Sequence, residues 1–164
     1  MNWKKKKVFV TGGTGFIGTH LCKKLIELGA DLWVVRHERI PSFPCNSIYV
    51  DLREYDDYLA HWFQSIRPEV VFHLAAQPIV LPQIAEEADT IKTNINGTYN
   101  ILHVAKGAKP KSFVHISTDK VYGDASPITK DTELNGVKHP YNVSKLSGDL
   151  LARCTQTFST FQWR

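Results

Sequence analysis

Apolar residues along the 164-residue chain fall into two alternating kinds of pattern. Short unbroken runs, Val8-Phe9-Val10, Leu32-Trp33-Val34-Val35 and Val70-Val71-Phe72, predict strands covered on both faces. Between them, apolar residues recur at helical spacing. Ile17, Leu21, Leu25 and Leu28 mark one helix that Gly29 ends, and Tyr55, Tyr58, Leu59, Trp62, Phe63 and Ile66 mark a second that Pro68 stops. Ile84, Ala88, Ile91, Ile95, Thr98, Leu102 and Ala105 trace one long helix that closes near Gly107. The predicted strands are 8–10, 31–36, 48–50, 70–74 and 112–117. Loops cover 39–47 and about 123–140, and a last helix starts near Tyr141. Strands that alternate with helices in this way predict an α/β fold, a doubly wound parallel sheet that takes its ligand beyond the carboxyl ends of its strands.

Composition narrows the class. With 43% hydrophobic and 22% charged residues, the whole chain, 1–164, fits one globular domain. Much of the net charge of +4 sits in Lys4-Lys5-Lys6-Lys7, which reads as a solvated lead-in to the first strand rather than a polyanion site. No basic stripe interleaved with aromatics follows, so nucleic acid is not an expected partner. Cys22, Cys45 and Cys154 are odd in number, far apart and without metal-ligand spacing. They predict reduced thiols in a cytoplasmic protein and no metal site. No apolar segment has the length of a signal core or a membrane span, so no membrane association is expected.

The chemistry begins at Thr11-Gly12-Gly13-Thr14-Gly15-Phe16-Ile17-Gly18, between the first strand and the first helix. Gly12 permits a tight turn, Gly15 lets backbone approach a pyrophosphate, and Gly18 lets the helix lie close on the sheet. The anion would then face the N–H groups of the first helical turn, at Phe16, Ile17 and Gly18, and the positive end of the helix dipole. An unliganded tight turn is the bland alternative; strand before and helix after favour a dinucleotide.

Four further motifs stand at predicted strand or helix ends: Asp51-Leu52, His73-Leu74-Ala75-Ala76-Gln77, Ser117-Thr118-Asp119-Lys120-Val121-Tyr122-Gly123 and Tyr141-Asn142-Val143-Ser144-Lys145. With the glycines, they make residues 8–158 resemble the extended short-chain dehydrogenase/reductase family, the nucleotide-sugar epimerases and dehydratases, which have a Rossmann fold. Thr118-Asp119-Lys120 and the segment from His139 to Lys145 are most similar to nucleotide-sugar 4,6-dehydratases of the CDP-glucose type. The dTDP-glucose enzymes carry Glu where this chain has Lys120, and epimerases of the family usually lack an acid/base pair there.

The resemblance implies a role for each residue. Tyr141 and Lys145, four apart on one helix face, would be base and supporting cation, because an ammonium beside a phenol favours phenolate. Thr118 would hold the sugar oxygen, with Ser117 as the alternative donor. Lys120 would remove the C5 proton and Asp119 would protonate the departing C6 hydroxyl; burial of Lys120 beside cations such as Lys145 would free it to act as a base. The plain alternatives are a solvated helix face for Tyr141 and Lys145 and a loop ion pair for Asp119 and Lys120.

For the cofactor, Asp51 and Leu52 are expected at the adenine, and Leu74, Ala75, Ala76 and Gln77 along the phosphate–ribose path. Ser117, Tyr141 and Lys145 are expected near the nicotinamide end. His73 reads as a packed histidine rather than a ligand. NAD-preferring relatives carry an acid at the end of strand two, where this chain has Arg36, which leans toward NADP. The CDP-glucose type that the chain resembles, by contrast, commonly uses NAD. The expected cofactor is NADP or NAD, with NADP slightly favoured. The family continues with a sixth strand and a lobe that holds the nucleotide-sugar, and the chain is expected to be truncated after the catalytic helix, without that lobe. The expected functions are a 4,6-dehydratase or its N-terminal catalytic half, a 4-epimerase of the same family, or a cofactor-binding module without turnover. A homodimer through helices 84–106 and 141–158 is also expected.

Overall fold

The computed structural model describes residues 2–55, 57–78 and 84–157, except the side chains of 84–86 and 156–157. Five strands, β1 (Lys7–Thr11), β2 (Asp31–Arg36), β3 (Asn46–Tyr49), β4 (Val70–His73) and β5 (Ser112–His115), form one parallel sheet in the order β3-β2-β1-β4-β5. The helices are α1 (Phe16–Glu27), α2 (Asp57–Ile66), α3 (Ile84–Ile91), α4 (Gly97–Ala108) and α5 (Pro140–Thr157). Chain order reverses between β1 and β4, and the crevice outside their carboxyl ends is where such sheets bind ligands.

Period-two alternation decides which helix covers which face. Val8 and Val10 point with Leu32, Val34 and Val70 toward Cys22 and Leu25 of α1. Phe9 points the other way, with Val71 and Phe113, against Leu59 and Phe63 of α2 and Ile101, Leu102 and Ala105 of α4. Helices on both faces explain why β1 reads as an unbroken apolar run: Val8, Phe9 and Val10 are all fully buried. On the α1 side, burial pushes the Cys22 thiol up to about 12. Among the described residues no helix is long and apolar enough to cross a membrane.

The same alternation turns the last residues of three strands, Thr11, His73 and His115, toward the α4 and α5 face, and register aligns them in one polar row. His73 is fully buried; its Nδ1 lies 2.6 Å from Thr11 Oγ1 and its Nε2 3.0 Å from Thr98 Oγ1. It is a packed, hydrogen-bonded histidine. Burial and the positive charges nearby hold its imidazolium well below the usual range, and burial with the Lys145 charge pushes His115 down to about 4.

Both histidines stay neutral in the fold but take up protons in an unfolded chain below about pH 6.5. The unfolded state then binds more protons, so stability is intact above that pH and falls as the pH drops. His115 alone would contribute a loss of up to about 3 kcal/mol by pH 4. Urea unfolding should therefore show a lower midpoint at pH 5 than at pH 7.5, with a smaller difference in His115→Gln. Equal midpoints would count against this account.

Three expected elements differ by more than one residue at an end or in kind. The third strand is Asn46–Tyr49 rather than 48–50, because only Ile48 of its side chains is buried and the polar flanks hide its start. The fifth strand ends at His115, short of the expected Ser117, although Ile116 N–H still donates to His73 O at 3.1 Å. The long helix is interrupted by a π turn at Lys92–Asn96, which the apolar stripe does not reveal. Phe158, within the expected dimer helix, and the segment 159–164, where a sixth strand was due, lie outside the described residues.

Candidate functional site

The glycine loop is shaped by steric necessity. Gly12 has φ +70°, and a Cβ there would stand 2.6 Å from Ala75 N and the Leu74 carbonyl carbon, so the loop after β1 touches the loop after β4. A Cβ on Gly18 would collide with Gly12 O. Gly15 precedes α1 without a side-chain cap, and no acidic residue occupies the first turn. Phe16 and Ile17 are exposed. The helix N-terminus therefore presents its donors to the crevice, a cradle that fits a pyrophosphate.

At the ends of β2 and β3, the Arg36 guanidinium lies over the Tyr49 ring, 5.5 Å from its centroid, and His37 stacks on the same ring at 6.1 Å. Asp51 is held by Arg53 through Nε at 3.0 Å and Nη2 at 2.6 Å, and it accepts the Arg53 backbone N–H. Those bonds hold its carboxyl below the usual range. Arg53 also reaches Asp89 of α3. The Leu52 side chain is buried in the core, and its carbonyl accepts from Asn100 Nδ2. Only Asp51 of the pair keeps a partly open side chain at this edge.

The Leu74–Gln77 segment is pinned at both ends. Ala75 N–H donates to Thr11 Oγ1 at 3.2 Å, and the Gln77 N–H donates to Asn94 Oδ1 at 2.7 Å. Ala76 lies half-buried between them. Asn94 Nδ2 donates to Gln77 O at 3.2 Å and to Ser144 Oγ at 2.9 Å, and Ser144 Oγ–H donates to Tyr141 O at 2.7 Å. Asn94 sits in the π turn, where the extra backbone residue brings its amide inside the helix layer. One buried amide thus joins the segment after β4 to the start of α5.

The motif reading missed Asn94; its signal was a polar residue on the buried face of a helix, close to Gly97. Asn94→Ala leaves the Gln77 N–H and Ser144 Oγ without this partner and is expected to lower stability by about 2–3 kcal/mol and weaken dinucleotide binding. Thermal unfolding and calorimetry check it, and wild-type values in both would remove Asn94 from the site.

Past β5, Thr118 caps a short 3-10 turn (Asp119–Tyr122) by accepting the Lys120 N–H, and its hydroxyl donates to Asp119 Oδ1 at 3.1 Å. Ser117 Oγ, by contrast, is shielded from solvent and has no partner among the described residues. Lys120 is not buried beside Lys145 as expected: its side chain is 55% exposed and pairs with Asp119 at 3.1 Å. The strand ends too early to carry Lys120 inward. The pairing holds the Asp119 carboxyl below its usual range.

This turn packs against α5, whose first two turns carry Tyr141 and Lys145. Lys145 is buried and its Nζ donates to Ile116 O at 2.7 Å, which ties the helix to the exit of β5. Burial pushes its ammonium down, and the Asp149 carboxylate opposes that. A groove of about 570 Å³ lies beside this point, between Glu87 and Ile91 of α3 and Val137–Val143, and is not lined by Tyr141 itself.

The family model described as NAD dependent epimerase/dehydratase matches residues 8–160. The chain belongs to the NAD dependent epimerase/dehydratase family. Members of this family that it is similar to include the CDP-glucose 4,6-dehydratase of Salmonella typhimurium, 32% identical across 92% of this chain and 45% of that protein. The dTDP-glucose 4,6-dehydratase of the same organism is 32% identical across 90% of this chain and 49% of its own length. Among solved structures, the UDP-glucose 4-epimerase of Thermotoga maritima with UDP-glucose superposes with TM-score 0.85 at 28% identity, across 95% of this chain and 53% of that one. MoeE5 in complex with UDP-glucose and NAD gives TM-score 0.82 at 28% identity, across 96% and 52%. The chain thus spans about half the length of the relatives it matches.

Proposed function

We propose that the protein is the dinucleotide-binding, catalytic half of a nucleotide-sugar 4,6-dehydratase of the CDP-glucose kind. The observation that carries this reading is the packing of the Thr118-Asp119-Lys120 turn against the helix that bears Tyr141 and Lys145. Gly12, Gly15 and Gly18 with the first turn of α1 hold the pyrophosphate, Asp51 the adenine side, and Leu74–Gln77 the path between. When bound, the dinucleotide would supply a hydride acceptor for the sugar C4 and a hydride donor for C6, so that with the Lys120 proton returned to C5 the product is the 4-keto-6-deoxy sugar.

The remaining steps belong to side chains. Tyr141 takes the C4 hydroxyl proton as that carbon is oxidised, with the Lys145 ammonium one turn below. The C5 proton, acidified by the new C4 carbonyl, passes to Lys120, and Asp119 gives a proton to the C6 hydroxyl, which leaves as water. Asp119 and Lys120 stand in solvent as an ion pair. A sugar closing over them excludes that water from the pair.

Incubation with CDP-glucose, dTDP-glucose and UDP-glucose, followed by mass measurement, tests the reading. A dehydratase product is lighter by one water. The second reading, a 4-epimerase, is favoured by the structural likeness to the Thermotoga maritima enzyme and leaves the mass unchanged. Residues 1–164 alone are expected to turn over slowly, because remote contacts to the nucleotide position the hexose. A chain joined to the half that its relatives carry beyond this region should be active. We also assign the homodimer to the outer faces of α3, α4 and α5, where Ile91, Tyr99, Val143 and Leu150 are exposed.

Arg36, preorganised on Tyr49, favours NADP over NAD through its 2′-phosphate. Arg36→Ala should weaken NADP binding about tenfold or more and leave NAD binding unchanged by calorimetry. Equal losses for both cofactors would exclude Arg36 as the phosphate ligand.

A further inference from the structure

Behind the face of α5 that carries Tyr141 and Lys145 lies a small set of ionisable side chains that the mechanism does not use. Asp149 follows Lys145 by four residues, on the same strip of helix. Its side chain is 16% exposed, and its Oδ2, shielded from solvent, lies 2.9 Å from Arg153 Nε. Gly148 beside it has no side chain, and the imidazole of His115 fills that slot: Nε2 lies 3.4 Å from where a Gly148 Cβ would stand, as do Thr98 Oγ1 and Asn94 O. Both His115 ring nitrogens are shielded from solvent without a hydrogen-bond partner among the described residues. His73 stacks on His115 with centroids 5.5 Å apart.

An ammonium buried on a single carbonyl is costly unless a negative charge lies near. Around Lys145, β5 contributes His115 and β4 contributes His73, both neutral, and the π turn and α4 contribute the uncharged Asn94 and Thr98. Asp149, four residues on along the same strip of α5 and mostly buried, places a carboxylate on that side of the helix. Asp119 beyond β5, by contrast, is exposed and paired with Lys120, and Asp89 of α3 is paired with Arg53.

We propose that Asp149 is a positioning residue of the candidate site: its carboxylate is the counter-charge that keeps Lys145 an ammonium seated on Ile116 O, while neutral His115 fills the slot that Gly148 leaves. This builds on the role given to Lys145 above, but its test does not depend on turnover.

The test is a pH titration of the Lys145 side-chain carbon signals in lysine-labelled protein by NMR, with Lys145→Arg assigning the signals. Asp149→Asn should move the Lys145 midpoint to lower pH, and Asp149→Glu should restore it. Arg153→Gln, at an exposed side chain, removes the cation that shares the carboxylate and should move the midpoint to higher pH. That variant decides the matter if Asp149→Asn does not fold. A Lys145 midpoint unmoved by Asp149→Asn, or moved down or unmoved by Arg153→Gln, overturns the proposal. Turnover in the wild type and its loss in Tyr141→Phe bear on the dehydratase reading separately.

Discussion

Tyr141→Phe in a chain carrying both halves is expected to reduce formation of the 4-keto-6-deoxy sugar by about a hundred- to ten-thousandfold. Cofactor affinity and unfolding midpoint should stay near wild type. The contrast follows from how Tyr141 is used. Its backbone carbonyl accepts from Ser144 Oγ and its N–H donates to His139 Nδ1, and both survive the substitution. The phenol oxygen makes no hydrogen bond among the described residues, so its removal breaks no fold contact. What is lost is the group that takes the C4 hydroxyl proton. Product detection by mass, with calorimetry as the control, makes the comparison. Near-normal product from Tyr141→Phe would mean that another group is the base, and the assignment of α5 would fail.

Gly18→Ala should abolish saturable binding of NAD and NADP and destabilise the fold by about 1–3 kcal/mol. The added methyl meets Gly12 O and the Gly13 Cα, both backbone atoms of the same loop, so relief requires α1 to lift from the turn that cradles the pyrophosphate. Two other glycines calibrate the effect. Gly15→Ala meets only Gly12 O at 3.3 Å, so it should melt near wild type, yet weaken cofactor binding, because its methyl stands where the backbone approaches the pyrophosphate. Gly107→Ala, on the outside of α4 with nothing within 4 Å, should stabilise by about 0.5–1 kcal/mol through helix propensity. Fluorescence titration and thermal melts of the three variants separate loop geometry from a general effect of added methyl groups. Equal losses in all three would sink the steric account.

Local patterns in the chain determined the elements and the points where chemistry gathers. Val8-Phe9-Val10 is apolar without a break because helices cover both faces of β1, and each motif stands where a strand or helix begins or ends. The spacing of Gly12, Gly15 and Gly18 encodes a turn whose constraints lie mostly within one short segment. Tertiary structure decided whatever joins residues far apart along the chain. Leu52 turned into the core under α4 while Arg53 took the Asp51 carboxylate. Lys120 remained in solvent because β5 ended two residues sooner than its composition suggested. Asn94 reached both Gln77 and Ser144, 17 and 50 residues away, through a π turn that no apolar stripe records. A period along one helix reports which face is buried; it carries no information on which distant amide or carboxylate will meet that face. Such pairings are fixed only when the sheet register and the helix layers bring the segments together.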